Sequence, residues 1–310
     1  MIRKHTRRAA KAAFAISLGV AIVIGLFAAT ARPASSSSHA TPTVVIGTKN
    51  FPEEFILGQL YKQALEAKGF KVQYKENIGS TEIIDTALTS GKINFYPEYT
   101  GVIVQVVFGK PLSAKTALAT YALAKRLQEK RGFTLFDPTP FYDTDAIAVL
   151  GSTKSKYGLK TLGDLKKVPG LKLAALPEFK TRNTGLVGLK RNYGLTKVTF
   201  VPLAGLSPYQ ALDQKKVQAA AVFSTDPVLG PSSKYKLLAD PVHQFGFQNV
   251  APVVKKSVAD DLGPNFRRTI DRVSAKLTNN AIIAMNKAVI IDKKSAASVA
   301  DTFLKANNLK

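Results

Sequence analysis

Residues 43–74 read TVVIGTKNFPEEFILGQLYKQALEAKGFKVQY and contain three elements in a row. The run Thr43–Gly47 is short, apolar and β-branched, which is typical of a buried strand. Apolar residues then recur at helical spacing over Phe55–Lys68, and Gly69 ends that pattern. Lys71–Tyr74 alternates polar and apolar residues and predicts a second strand. Because a strand, a helix and a strand follow one another so closely, this stretch indicates a parallel sheet covered by helices.

The same alternation continues along the chain. Ile93–Tyr96 predicts the third strand, after a helix that ends at Ser90-Gly91. A second series of strands and helices begins with the apolar run Ala146–Leu150, and a further strand is predicted at Val250–Val254. The tail, from about Lys256 to Lys305, has a helical pattern throughout. Two successive series of this kind predict an α/β protein with two lobes.

The two lobes are expected to be discontinuous in sequence. Residues 43–146 and 250–310 are predicted to form the first lobe, and residues 147–249 the second. The chain would cross between them near residues 145–150 and 248–254. A cleft between two such lobes is where a ligand is expected, because binding sites favour domain interfaces and the ends of parallel strands.

Composition excludes several classes of function. The 310 residues include no Cys and three His, which excludes disulfide frameworks, thiolate metal sites and a histidine-rich zinc site. The sequence contains neither the P-loop pattern G-x-x-x-x-G-K nor the dinucleotide-binding pattern G-x-G-x-x-G. Lys and Arg outnumber Asp and Glu by 44 to 21, a net charge of +23. The lysines are scattered and no nucleic-acid motif accompanies them, so we interpret the charge as a basic surface and predict no nucleic-acid partner. A basic interaction protein that binds nucleic acid or another anionic polymer is the alternative.

The first forty residues predict export. A basic start is followed by the uncharged apolar run Ala12–Ala31 and by a serine-rich linker. We interpret residues 1–40 as an export signal, with the mature protein beginning between Arg32 and Thr41. An uncleaved membrane anchor is the alternative, because about 20 apolar residues can span a bilayer. The protein is therefore expected in the periplasm or on the outer face of the cytoplasmic membrane.

Two close pairs of acids are candidates for chemistry. Glu53-Glu54 and the pair Asp143 and Asp145 could act as general acid and base, or as ligands of a hard cation. A solvated loop is the simpler interpretation of each pair. An envelope enzyme is thus the alternative hypothesis, and we predict a binding protein that is not an enzyme and needs no cofactor or metal.

Aromatic and polar residues occur together where predicted strands end. Lys49 and Phe51 follow the first strand, Tyr99 follows the third, and Arg182 and Phe223 follow strands of the second series. Aromatic faces bind cations, and an arginine can hold a carboxylate with two hydrogen bonds. A small zwitterion with a methylated ammonium group would suit a pocket built from such residues.

Five stretches resemble one family of transport proteins. They are GTKNFPEEFILGQLYKQALEAKGF (Gly47–Phe70), ALTSGKINFYPEYTG (Ala87–Gly101), PEFKTR (Pro177–Arg182), YQALDQKKVQAAAVFSTD (Tyr209–Asp226) and FQNVAPVV (Phe247–Val254). They are similar to the ProX/OpuC-like substrate-binding proteins of osmoprotectant ABC transporters, which bind glycine betaine, choline, carnitine and related compounds. The resemblance implies a type II periplasmic-binding-protein fold whose lobes close on the ligand. It also implies a permease and an ATPase as partners, and we expect the receptor to be a monomer.

The resemblance also implies roles for individual residues. Lys49 and Arg182 match positions that can hold a ligand carboxylate, and Tyr99 matches one wall of an aromatic cage around the ammonium group. Asp145 stands where many members have another cage tyrosine, so the cage is incomplete. A polyol or an amino-acid derivative therefore remains an alternative ligand. The predicted binding residues are Lys49, Glu54, Tyr99, Asp143, Asp145, Arg182, Tyr209, Phe223, Gln248 and Asn249.

Overall fold

The computed structural model of the protein describes residues 42–111, 114–203 and 206–310. The predicted export signal and the predicted start of the mature chain lie outside these residues. Among the helices in the described ranges, none combines the length and the apolar character needed to cross a membrane.

The described strands form two mixed five-stranded sheets. The strands are β1 (Val44–Lys49), β2 (Val72–Gly79), β3 (Phe95–Tyr99), β4 (Phe133–Leu135), β5 (Asp145–Leu150), β6 (Lys172–Ala175), β7 (Thr199–Pro202), β8 (Ala219–Phe223), β9 (Tyr235–Leu237) and β10 (Val250–Lys255). The first sheet has the order β2-β1-β3-β10-β4, and the second has the order β7-β6-β8-β5-β9. In the first sheet, β1 runs parallel to β2 and β3 while β10 runs antiparallel to β3 and β4.

Helices cover both faces of each sheet. They are α1 (Pro52–Glu66), α2 (Thr81–Thr89), α3 (Thr100–Val102), α4 (Ala117–Glu129), α5 (Gly151–Tyr157), α6 (Leu186–Tyr193), α7 (Pro208–Asp213), α8 (Lys256–Ser274), α9 (Asn279–Ile290) and α10 (Ala296–Ala306). One face of the first sheet packs against α1, α8, α9 and α10, and the other against α2 and α4. We refer to each sheet with its covering helices as a lobe. The α/β class predicted from the sequence is confirmed by this arrangement.

Several of the predicted elements have different bounds in the structure. β1 extends to Lys49, two residues beyond the predicted end. β3 covers Phe95–Tyr99, whereas a strand over Ile93–Tyr96 with a loop after it was predicted. Pro97 pairs with Pro252 of β10, so two residues that lack an amide hydrogen lie opposite each other. The predicted helical tail consists of three helices. The side chains of Thr278 and Ser295 accept hydrogen bonds from backbone N–H groups and thereby cap the starts of α9 and α10.

The crossing into the second sheet lies close to the predicted one. β5 begins at Asp145, which pairs with Phe223 of β8, so Asp145 and Ala146 are already part of the second sheet. The residue boundaries of the lobes otherwise stay a prediction.

Candidate functional site

A cavity of about 330 Å³ is lined by residues from strand ends and loops of both sheets. That volume suits a small solute. Eight of the ten predicted residues line it: Lys49, Tyr99, Asp143, Asp145, Arg182, Tyr209, Phe223 and Gln248. Glu54 and Asn249 do not.

Three aromatic rings from both lobes pack together at the cavity. Phe51 stacks on Phe223, with ring centroids 5.2 Å apart, and on Tyr99, with centroids 6.3 Å apart. These separations are typical of interacting aromatic pairs. Phe51 is not among the ten predicted binding residues, although the sequence placed it with the aromatic residues that follow predicted strands. The rings form a continuous apolar wall that joins the first lobe to the second.

Lys49 is buried and its charge is neutralised within the protein. Its Nζ lies 2.6 Å from Glu98 Oε1 and 3.8 Å from Glu54 Oε1. The same ammonium lies 4.3 Å from the centroid of the Tyr99 ring, which is the geometry of a cation–π contact. The carboxylate-holding role that the resemblance implies for Lys49 stays a prediction, because two acids already surround this side chain. Glu98 is a site residue that the sequence analysis missed.

Glu54 supports the site from behind. It is fully buried, and its Oε2 accepts a hydrogen bond of 3.2 Å from the backbone N–H of Lys49. Burial raises the pKa of Glu54 to about 8, even though the nearby charge of Lys49 lowers it. Glu54 therefore positions Lys49 and does not itself line the cavity.

Glu53 joins the two lobes. Its Oε1 accepts a hydrogen bond of 2.7 Å from the Tyr99 hydroxyl. Its Oε2 accepts one of 2.6 Å from Thr225 Oγ1, in the loop after β8, and one of 2.8 Å from Asn286 Nδ2 on α9. Burial raises the pKa of Glu53, although these three hydrogen bonds favour the ionised form. The interpretation of Glu53-Glu54 as a solvated loop is wrong, because both side chains are buried at the start of α1.

Asp143 is a second buried acid at the crossing between the lobes. Its Oδ1 accepts hydrogen bonds of 3.0 Å from Ser224 Oγ and from the backbone N–H of Thr225. Burial raises the pKa of Asp143 well above its ordinary value, and the charges of Glu53 and Asp226 raise it further. The interpretation of Asp143 as part of a solvated loop is also wrong.

Asp145 faces the cavity from the first position of β5. It lies directly opposite Phe223 in the antiparallel register, so the carboxylate and the ring are neighbours on one face of the sheet. No side chain in the described part of the protein donates a hydrogen bond to Asp145. Burial raises the pKa of Asp145 to about 6, while the charges of Arg182 and Lys49 lower it.

Arg182 spans the cleft between the lobes. Its Nε and Nη2 donate hydrogen bonds of 2.9 and 2.8 Å to the two carboxylate oxygens of Glu82 on α2. Arg182 belongs to the second lobe and Glu82 to the first, so this two-bond ion pair links them. The role of Arg182 as a carboxylate-holding residue stays a prediction, since Glu82 already balances its charge and takes two of its N–H donors.

Tyr209 lines the cavity from α7 with its hydroxyl already engaged. The hydroxyl donates a hydrogen bond of 2.6 Å to Asp226 Oδ2. The ring packs against that of Tyr235, with ring centroids 4.7 Å apart. Asp226 also accepts from the backbone N–H of Phe223 at 3.2 Å. Asp226 thereby fixes the position of Phe223 relative to Tyr209.

Gln248 and Asn249 lie at the predicted crossing near residues 248–254 and form hydrogen bonds with backbone groups there. Gln248 accepts a hydrogen bond of 2.9 Å from the backbone N–H of Val102 and donates one of 2.7 Å to the carbonyl of Phe245. Asn249 donates hydrogen bonds of 3.0 and 3.1 Å to two backbone carbonyls in residues 139–141. Both amides therefore satisfy backbone groups.

In the described ranges there is no cluster of three or more His, Cys, Asp or Glu that could hold a metal ion.

Comparison with known proteins identifies the family. Residues 42–306 match the family described as the substrate binding domain of the ABC-type glycine betaine transport system. The chain belongs to this family. A glycine-betaine-binding protein of Pseudomonas aeruginosa is 31% identical over 297 residues, covering 92% of each chain. The glycine betaine-binding protein YehZ of Escherichia coli is 30% identical, covering 86% of this chain and 91% of the relative.

A solved structure of a glycine betaine/carnitine/choline ABC transporter protein is similar over 86% of this chain and 99% of its own, with 26% identity and a TM-score of 0.68. The predicted type II periplasmic-binding-protein fold is thereby confirmed. Members of this family are solute-binding receptors of ABC importers rather than enzymes, and work with a permease and an ATPase. The predicted function as a solute receptor is confirmed at this level.

Proposed function

We propose that the cavity binds a small solute with a quaternary ammonium group and that the receptor delivers it to the permease of an ABC importer. The cluster of Phe51, Tyr99 and Phe223 at the cavity carries this proposal. Aromatic faces attract a methylated cation through their quadrupole and cover its methyl groups at the same time. The ammonium of Lys49 against Tyr99 indicates that these rings already tolerate a cation.

The relatives support the same class of ligand. Two of them are named for glycine betaine, and the similar solved structure for glycine betaine, carnitine and choline. Glycine betaine, carnitine and choline are all quaternary ammonium compounds. A polyol or an amino-acid derivative would leave the apolar wall of the cavity without a matching group.

Binding would act through closure of the lobes. The contacts that cross between the lobes are the Phe51–Phe223 stack, the Glu53–Thr225 hydrogen bond and the Glu82–Arg182 ion pair. A ligand that touches residues of both lobes stabilises the closed form, in which these contacts exist. The closed receptor is then the form that the permease recognises.

The location and state of the receptor follow from the same proposal. Residues 1–40 act as an export signal or an anchor, and the receptor works as a monomer outside the cytoplasmic membrane. It associates with the membrane through the transporter or through an uncleaved N-terminal segment. N-terminal sequencing of the protein from its own cells distinguishes the two, since an intact Met1 indicates the anchor.

The experiment is calorimetry with the purified receptor and glycine betaine, choline and carnitine, with proline and sorbitol as non-quaternary controls. Phe223→Ala removes one ring and should weaken binding by about 0.5–2 kcal/mol, or roughly two- to thirtyfold. Tyr142→Ala is a matched control, because this ring is half exposed and does not line the cavity. Binding of proline or sorbitol alone, or unchanged affinity in Phe223→Ala, contradicts the proposal.

A further inference from the structure

We infer that Asp145 makes this site select a solute that is a net cation over a zwitterionic betaine of similar size. This inference rests on the proposed function and adds the charge of the ligand to it. The expected ligand is a small organic monocation with a methylated nitrogen and no carboxylate, for which choline is a convenient probe.

Lys49 does not offer a ligand a free positive charge. Its Nζ is in contact with Glu98 at 2.6 Å, and Glu54 is 3.8 Å away. Lys49 is 4% exposed, so this neutralisation takes place away from solvent. A ligand carboxylate at Lys49 would meet a charge that Glu98 already balances, and displacing Glu98 would leave a buried acid without its partner, which is strongly unfavourable.

Arg182 is also paired with an acid of the protein. Both carboxylate oxygens of Glu82 accept hydrogen bonds from Arg182, at 2.8 and 2.9 Å. Glu82 thereby balances the charge of Arg182, so a ligand carboxylate gains less from the N–H groups that remain, and displacing Glu82 would remove a contact between the lobes. The two basic side chains that line the cavity are therefore both paired with acids of the protein.

Acidic side chains outnumber basic ones along the cavity. Four acidic side chains line it, against the two bases: Asp143, Asp145, Glu178 and Asp226. Asp143 and Asp226 accept hydrogen bonds from neighbouring groups, whereas Asp145 receives none from the described side chains. The charged groups that act on Asp145 are Arg182, Lys49 and Glu178. Burial raises the pKa of Asp143 and of Asp226, which favours their neutral forms. The charge that opposes a ligand carboxylate and attracts a cation is therefore carried by Asp145 and Glu178.

The strand pairing places Asp145 next to an aromatic ring of the cavity. The antiparallel pairing with Phe223 sets the carboxylate beside an aromatic ring on the same face of the second sheet. A methylated ammonium group that packs on Phe223 would lie within reach of the Asp145 charge. One cross-strand pair thus supplies both the apolar contact and the counter-charge that such a cation needs.

The test compares choline, tetramethylammonium and glycine betaine by calorimetry at about pH 7. We expect both cations to bind the wild-type receptor at least about tenfold more tightly than betaine. Asp145→Asn keeps the size of the side chain, and should weaken choline binding about tenfold or more while leaving betaine binding unchanged or tighter. Glu178→Gln is the matched control, because it removes a cavity acid that does not pair with Phe223, and it should change choline binding less.

A second readout uses pH. Burial raises the pKa of Asp145 to about 6 against the lowering charges of Arg182 and Lys49, so the carboxylate is lost as the pH falls through that value. Choline affinity should fall about tenfold from about pH 7 to about pH 5 in the wild type, and stay nearly constant in Asp145→Asn.

The outcomes separate this inference from the proposed function. Betaine binding as tightly as choline, or an equal loss for both ligands in Asp145→Asn, overturns the inference and leaves the proposed function standing. If none of the three compounds binds to a receptor whose thermal unfolding is normal, the proposed function is refuted and the inference falls with it.

Discussion

Replacing Glu53 should reveal how strongly its hydrogen bonds hold the two lobes together. Glu53→Ala removes the acceptor of three donors: the Tyr99 hydroxyl, the Thr225 hydroxyl and the Asn286 amide. Glu53 is 4% exposed, so water does not readily replace it. Each buried donor left without a partner costs about 1–3 kcal/mol.

The net effect is smaller than the sum of these costs. Deleting the carboxylate also removes the cost of burying it, which is the cause that raises its pKa. We therefore expect Glu53→Ala to lower the free energy of unfolding by about 2–4 kcal/mol. Glu53→Gln should cost less than about 1 kcal/mol, because an amide oxygen can serve Thr225 and Asn286 while the Tyr99 hydroxyl accepts from the amide nitrogen.

Urea denaturation, followed by circular dichroism, measures these differences. Glu66→Ala is the control on the same helix, because Glu66 makes an exposed ion pair of 2.8 Å with Lys62, and it should cost less than about 0.5 kcal/mol. A double-mutant cycle between Glu53→Ala and Thr225→Val then isolates the contact that crosses the lobes. The reasoning is refuted if Glu53→Ala is no more destabilising than Glu66→Ala, or if the glutamine variant is as unstable as the alanine variant.

Three further predictions concern the lobes and their crossing. Arg182→Glu and Glu82→Arg should each weaken solute binding about two- to fivefold by calorimetry, and the double variant should restore it; two additive losses would contradict the pairing. Burial alone would raise the pKa of Glu82, but the hydrogen bonds and charge of Arg182 outweigh burial and bring this pKa down to about 2. The stability that the pair adds is therefore complete above about pH 4.5 and is lost as the pH falls toward 2. The unfolding free energies of wild type and Glu82→Gln, compared across that range, should therefore converge at low pH. Gly101→Ala would bring a methyl group to 2.7 Å from the Phe247 carbonyl, and a thermal-unfolding scan should show a loss of about 1–3 kcal/mol.

Much of the architecture could be predicted from local patterns in the sequence. The β-branched run that became β1 and the helical spacing that became α1 follow from which residues are apolar and how far apart they are. The order of these elements was enough to indicate an α/β protein with two lobes. Tyr99, Arg182 and Phe223 were chosen because they lie where strands end, and they line one cavity. Their action on a ligand stays a prediction.

The burial and pairing of charges could not be predicted, because they depend on residues that are distant in sequence. Glu53 looked solvated, yet Thr225, 172 residues away, donates to it. Arg182 looked free for a ligand, yet Glu82 holds it across the cleft. The free energy of a charge is set by the groups that replace its water. The sequence by itself therefore determined which elements form and which side chains their ends carry. The tertiary structure alone decided which of those charges are already paired and that Asp145 faces the cavity without a hydrogen-bond donor among the described side chains.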